Sequence, residues 1–107
     1  MSSEGLQQLS YYLWERLACT EPITQEFISE VLGDIMLFDK KQKDYGSSNI
    51  ADFGELGVLI RANDKIARLK NLLRTKRRPA NESIRDSWQD LSVYGVIARL
   101  VRRHVWR

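Results

Sequence analysis

Apolar residues recur at intervals of three and four along nearly the whole chain, and this spacing predicts helices throughout. In the first segment the repeat is carried by Leu6, Leu9, Leu13 and Leu17. No segment shows the convincing alternation that indicates a β-strand. The breaks between the segments predict four helices, at about residues 4–18, 24–41, 52–74 and 82–105. We therefore expect an all-α protein, a small four-helix bundle-like domain that spans residues 1–107.

Turn-forming residues set the predicted helix ends. Pro22 disfavours a helical residue before itself and separates the first two helices. The run 43–49 contains Gly46 and several other turn formers, which predicts a loop. Ser3 and Asn81 are predicted N-caps of the first and fourth helices, because their side chains can accept a bond from a free backbone amide.

The third predicted helix separates into an apolar face and a polar stripe. The apolar face consists of Val58, Leu59, Ala62, Ile66, Leu69 and Leu73. The stripe consists of Arg61, Asp64, Arg68 and Asn71, with Lys65 at its margin. Such a stripe is typical of a solvated helix surface with an ion pair of modest worth. Alternatively, its basic side chains hold phosphate oxygens and Asp64 is available to a metal ion.

Three carboxylates recur every four residues where the fourth helix is predicted to begin: Glu82, Asp86 and Asp90. At about 100° per residue they drift by only about 40° per step, and the same line continues into apolar residues. We therefore expect all three to point into the protein or a cleft, where an unpaired carboxylate is costly. Either a hard cation such as Mg²⁺ binds them, or the basic side chains of the third helix pair with them in a structural network.

Composition and charge narrow the classes of function. The formal charge is +3, a mild excess that does not by itself indicate nucleic acid. The single cysteine, Cys19, cannot form an internal disulfide and favours a reducing compartment, most simply the cytoplasm. One histidine and one cysteine do not support a zinc site. No apolar run approaches membrane-spanning length, so no membrane partner is expected.

Three motifs, taken in order, resemble the "nucleotide modification associated domain" proteins of phages and bacteria. They are Lys43-Asp44-Tyr45-Gly46, the helix from Arg61 through Asp64-Lys65 to Arg68-Leu69, and the pair Glu82 and Asp86. The resemblance covers residues 40–101, over half the chain. That family is similar to the all-α, MazG-like NTP pyrophosphohydrolases, which are usually oligomeric and use Mg²⁺ held by acidic helix residues.

The resemblance implies Mg²⁺-dependent hydrolysis of an NTP or dNTP to a monophosphate and pyrophosphate. The implied metal ligands are Asp64, Glu82, Asp86 and Asp90, of which Glu82 and Asp86 correspond best. The implied substrate-binding residues are Arg61, Lys65 and Arg68 for the phosphates, and Lys43, Asp44, Tyr45 and Gly46 for the sugar or base. The acidic pairs here are spaced by four residues, whereas the MazG-like pattern has three.

Two other functions stay open beside nucleotide-pool control by a phage-related hydrolase. The protein could be a non-catalytic binder that sequesters a nucleotide or cyclic nucleotide, as an anti-defence sponge does. A weaker alternative is a helical nucleic-acid-binding module that uses the basic run Arg74 to Arg78. In each case we expect a homo-oligomer, since four short helices make a thin core for the apolar residues present.

Overall fold

The computed structural model describes residues 1–79 and 82–107, and the regular structure in these ranges is entirely helical. The helices are α1 (Ser3–Arg16), α2 (Ile23–Tyr45), α3 (Ser48–Ala51), α4 (Gly54–Thr75) and α5 (Ile84–Arg102). The all-α prediction is thereby confirmed, although five helices occur in the described ranges where four were predicted. The chain divides into two compact units, residues 1–40 and 41–107, and each is described by itself. One domain over the whole chain stays a prediction.

The ends of the first two helices differ from the predicted ones. Ser2 caps α1 and accepts a hydrogen bond from the amide of Gly5 at 3.0 Å, so the predicted cap Ser3 is instead the first helical residue. Helix α2 continues through part of the predicted loop and ends at Tyr45, and the next residue, Gly46, has a φ of +67°. The amide of Gly46 bonds to the carbonyl of Gln42 at 2.9 Å. Glycine adopts this left-handed conformation without strain, which explains why the helix stops there.

Helix α5 begins two residues later than predicted. Ser83 is its N-cap, and the Ser83 hydroxyl accepts a hydrogen bond from the amide of Asp86 at 2.9 Å. The predicted cap, Asn81, lies outside the described residues. Glu82 consequently precedes the helix and does not lie on its surface.

Replacing Ser83 by Ala is expected to lower the free energy of unfolding by about 1 kcal/mol, because one amide of the first turn loses its partner. Ser83→Asp should retain most of the stability, since Asp also caps helices well. Urea unfolding of both variants checks this. Asn81→Ala is the comparison, and a larger loss there than at Ser83 would contradict the assignment of the cap.

The unit formed by residues 1–40 contains α1 and most of α2 and buries no apolar side chain. The indole of Trp14 donates to the carbonyl of Glu21 at 2.9 Å, which fixes the turn between the two helices. Ser10 is buried on α1, but two apolar side chains of α2 are largely exposed, Phe27 at 68 % and Ile35 at 56 %. Two helices of this length rarely supply a stable core without further contacts.

The unit formed by residues 41–107 holds the core. Its buried apolar side chains are Ile50, Val58, Leu69, Leu72 and Ile97. Helices α4 and α5 pack against each other and run antiparallel, since Arg102 near the end of α5 pairs with Glu55 at the start of α4, at 3.6 Å. The indole of Trp106 donates to the carbonyl of Ser47 at 3.0 Å and ties the C-terminal segment to the start of α3.

The predicted apolar face of α4 is only partly correct. Val58 and Leu69 are buried, whereas Leu59, Ile66 and Leu73 are exposed. The helix is rotated so that Lys65 pairs with Asp90 of α5 and Arg68 pairs with Glu82, which immediately precedes α5. None of the helices in the described ranges is both long and apolar enough to cross a membrane.

Candidate functional site

Lys65 occupies the centre of a group of charged side chains between α4 and α5. Its Nζ lies 2.9 Å from both carboxylate oxygens of Glu82 and 2.9 Å from Oδ2 of Asp90. The side chain of Lys65 is 23 % exposed, that of Glu82 24 % and that of Asp90 10 %. One ammonium group therefore holds two partly buried carboxylates near each other. We call this group, together with Lys41, Arg68 and Ser87, the Lys65 cluster.

Glu82 is fixed although it precedes the helix. Nε of Arg68 lies 3.3 Å from Oε2 of Glu82, and the guanidinium also donates to the main-chain carbonyl of Glu82. The geometry at Nε is too poor for a hydrogen bond, so this buried atom has an ion-pair contact and no hydrogen-bond acceptor. Ser87, which is fully buried, donates to Oε2 of Glu82 at 3.2 Å. The acidic side chain is thus held by both helices.

Lys41 completes the cluster from the last part of α2. Its Nζ lies 3.3 Å from Oδ1 of Asp90, and half of its side chain is exposed. The three cations of the cluster outnumber its two carboxylates. Neither Lys41 nor Ser87 was found by sequence reasoning, because a single lysine or serine with no periodic context carries no signal.

The surroundings of Lys65 and Asp90 favour the charged form of both side chains. Burial works against the charge of Lys65, but the hydrogen bonds to Glu82 and Asp90 outweigh it and raise the pKa of Lys65 above its usual value. Burial also works against the negative charge of Asp90 and alone would raise its pKa. The hydrogen bond from Lys65 and the positive charges of Lys41 and Lys65 lower that pKa instead. Near neutral pH the ion pair between Lys65 and Asp90 is therefore intact.

The lowered pKa of Asp90 makes a prediction for acid unfolding. A carboxylate with a lowered folded-state pKa contributes stability above its unfolded-state value, here 3.8, and loses it as the pH falls below. Wild-type protein should therefore lose more unfolding free energy between neutral pH and about pH 2 than Asp90→Asn does. Urea titrations at several pH values across this range measure the unfolding free energy of both proteins. Asp64→Asn removes the same charge at an exposed position, and acid dependence equal in the two variants would contradict the prediction.

Two of the four implied metal ligands lie away from the cluster. Asp86 is exposed in the first turn of α5, and Asp64 is exposed on α4. Within the described ranges, no three Asp, Glu, His or Cys side chains lie close enough to hold a metal ion. The expectation that three carboxylates point inward is correct for Glu82 and Asp90 and wrong for Asp86. The buried side of α5 carries Ser87, Asp90 and Ile97, and at about 100° per residue Asp86 falls at its margin.

The other implied substrate-binding residues are not members of the Lys65 cluster. Arg61 is half-buried on α4, about one turn before Lys65. Lys43, Asp44 and Tyr45 form the last turn of α2 and are exposed, and Gly46 ends that helix. The predicted turn at Gly46 is confirmed, while a role of these four residues in binding stays a prediction.

Charge is unevenly distributed along the chain. Residues 41–107 contain fifteen Lys and Arg against seven Asp and Glu, which gives this unit a formal charge of +8. The value of +3 for the whole chain hides this excess, because residues 1–40 have a formal charge of −5. A strongly positive unit attracts anions and raises their rate of encounter with its surface. Counting charge by segment would have shown this from the sequence.

Comparison with protein-family models, curated proteins and solved structures gives no match. The motif resemblance therefore stays a prediction, and the function has to be argued from the cluster itself.

Proposed function

We propose that the protein binds a nucleoside triphosphate through its phosphates at the Lys65 cluster. The observation that supports this is the gathering of Lys41, Lys65 and Arg68 around only two carboxylates, with each cation partly open to solvent. Guanidinium and ammonium groups are the usual protein partners of phosphate oxygens. The +8 charge of residues 41–107 favours the approach of such an anion.

The ion pairs of the cluster are compatible with this role. A phosphate group can displace Glu82 from Arg68 and Lys65, because phosphate oxygens accept the same hydrogen bonds. The Nε atom of Arg68, buried without a hydrogen-bond acceptor, would gain one on binding. A ligand phosphate would thus provide the acceptor that Glu82, 3.3 Å from this Nε atom, does not provide.

Mg²⁺-dependent hydrolysis between the α and β phosphates is the second candidate. It is favoured by Glu82 and Asp90, which both contact the Lys65 ammonium group and offer the oxygen ligands that Mg²⁺ prefers. Mg²⁺ is commonly held by one or two carboxylates together with substrate phosphates, so these two side chains would be a sufficient protein contribution when nucleotide is present. The bound ion would neutralise charge and activate water. Arg61, Lys65 and Arg68 would stabilise charge that develops on the phosphates.

The experiment is a screen with two readouts. Each common NTP and dNTP is titrated into the purified protein with and without Mg²⁺, and binding is followed by calorimetry. The same mixtures are analysed for monophosphate and pyrophosphate. Binding without products identifies a sequestering protein, and products with Mg²⁺ identify a pyrophosphohydrolase that acts on the cytoplasmic nucleotide pool. Absence of binding to every nucleotide would exclude both, and salt-sensitive binding to duplex DNA would then favour the nucleic-acid alternative.

Self-association is part of the proposal. Helix α2 exposes the apolar side chains of Phe27 and Ile35, and residues 1–40 bury no apolar side chain. Large exposed apolar faces usually mark contacts between proteins. We expect sedimentation at micromolar concentration to show a dimer or a larger homo-oligomer, and Phe27→Glu to shift the protein towards monomer. Monomeric wild-type protein would contradict this expectation.

A further inference from the structure

An apolar groove lies between α4 and α5. Its volume is about 470 Å³, within the range of small-molecule sites. Its lining residues used below are Leu56, Leu59 and Ala62 from α4, and Tyr94, Gly95 and Ala98 from α5. Leu56 and Leu59 are largely exposed, so the groove opens to solvent along one side.

Small residues create this space. A Cβ atom built on Gly95 would meet no heavy atom within 4 Å. Glycine is therefore not required there for close packing of the two helices. A side chain at this position would project into open space, whereas in a tightly packed pair of helices it would meet the neighbouring backbone. Together with Ala62 and Ala98, Gly95 leaves a gap on one flank of the packed pair.

The groove adjoins the Lys65 cluster on both helices. Ala62 precedes Lys65 by three residues, and Tyr94 follows Asp90 by four, so each step is about one helical turn. The far end of the groove contains Glu55, which is paired with Arg102. A ligand with one anionic end and one apolar end would therefore place its charge at Lys65 and its apolar part between Leu59 and Tyr94.

We propose that this groove holds the base and sugar of the nucleotide whose phosphates bind the Lys65 cluster, an inference that rests on the proposed function. A nucleoside carries its planar base one sugar away from the phosphates, which matches a groove that starts one turn from the cations. The side chains of Leu56 and Leu59 supply apolar contact for a base, and Tyr94 supplies an aromatic ring.

The test compares a nucleoside triphosphate with inorganic tripolyphosphate, which carries the same kind of phosphate chain without a base. Wild-type protein should bind its preferred nucleotide at least about tenfold more tightly than tripolyphosphate, a difference of about 1.4 kcal/mol. Gly95→Leu fills the groove and should remove this preference while tripolyphosphate affinity stays unchanged. Gly95→Ala, which adds a single methyl group in open space, is the matched control and should keep most of the preference.

Each other outcome has a distinct meaning. Equal affinity of wild-type protein for both ligands, or a preference that survives in Gly95→Leu, would overturn the groove proposal and leave phosphate binding intact. Failure of wild-type protein to bind either ligand would overturn the proposed function and this inference with it. If Gly95→Leu changes the sedimentation coefficient and leaves the preference intact, the groove is a contact between copies of the chain. Circular dichroism checks that the variant keeps the helix content of the wild-type protein.

Discussion

Replacing Lys65 by Met is expected to lower the free energy of unfolding by about 2–3 kcal/mol, one of the largest effects that a single change in residues 41–107 should produce. The substitution keeps the aliphatic length of the side chain but leaves Glu82 and Asp90 facing each other without the ammonium group between them. Removing one partner of a fully buried ion pair costs about 3–5 kcal/mol. The remaining exposure of these side chains lowers the expected cost. Urea unfolding at neutral pH measures it.

The control for this prediction lies on the same helix. Lys70→Met makes the same chemical change at an exposed position of α4 and should change stability by less than about 0.5 kcal/mol. Adding Glu82→Gln and Asp90→Asn to Lys65→Met should restore part of the lost stability, because the stranded charges are then gone. If Lys65→Met and Lys70→Met unfold at the same urea concentration, the cluster does not stabilise the fold.

The helices of this protein follow from the sequence, but the rotation of α4 does not. A hydrophobic period assigns apolar side chains to the interior and charged ones to solvent, so it placed Arg68 in the polar stripe and Lys65 at the margin of that stripe. In the structure both face α5, and Leu59 and Ile66 are exposed in exchange. A charged side chain with a buried partner has the same hydropathy as one in water. Pairing of these basic side chains with the carboxylates was one of the two alternatives that the sequence left open, and the periodicity of α4 could not choose it.

The site was predicted in part through a correct argument about acidic residues. Carboxylates on a line that continues into apolar residues do need a positive partner, and Glu82 and Asp90 have one in Lys65. The error at Asp86 arose from the helix start. The prediction from the four-residue repeat assumed a helix that begins at Glu82, whereas the helix begins at Ile84 and is capped by Ser83. Serine and asparagine cap helices almost equally well, so the sequence alone could not choose between Ser83 and Asn81.

Glu82→Gln is expected to separate the two candidate functions by the sign of its effect on affinity. If the cluster binds phosphates without a metal, Glu82 competes with the ligand for Lys65 and Arg68. Removing its charge should then strengthen tripolyphosphate binding in the absence of Mg²⁺ by about tenfold, since about 1.4 kcal/mol of competition is relieved. If the carboxylates hold Mg²⁺ with the nucleotide, the same change should weaken binding or stop turnover when Mg²⁺ is present.

Asp86→Asn is the matched control for that experiment, because it removes the same charge from the same end of α5 at an exposed position. A phosphate site at the Lys65 cluster should respond to Asp86→Asn only weakly, since exposed charges are screened by solvent and salt. Loss of Mg²⁺-dependent turnover in Asp86→Asn, with normal thermal unfolding, would place Asp86 at the metal with Glu82 and favour hydrolysis. Equal effects of the two substitutions on tripolyphosphate affinity would mean that the response depends on net charge alone, and the argument that Glu82 competes directly for Lys65 and Arg68 would then be wrong.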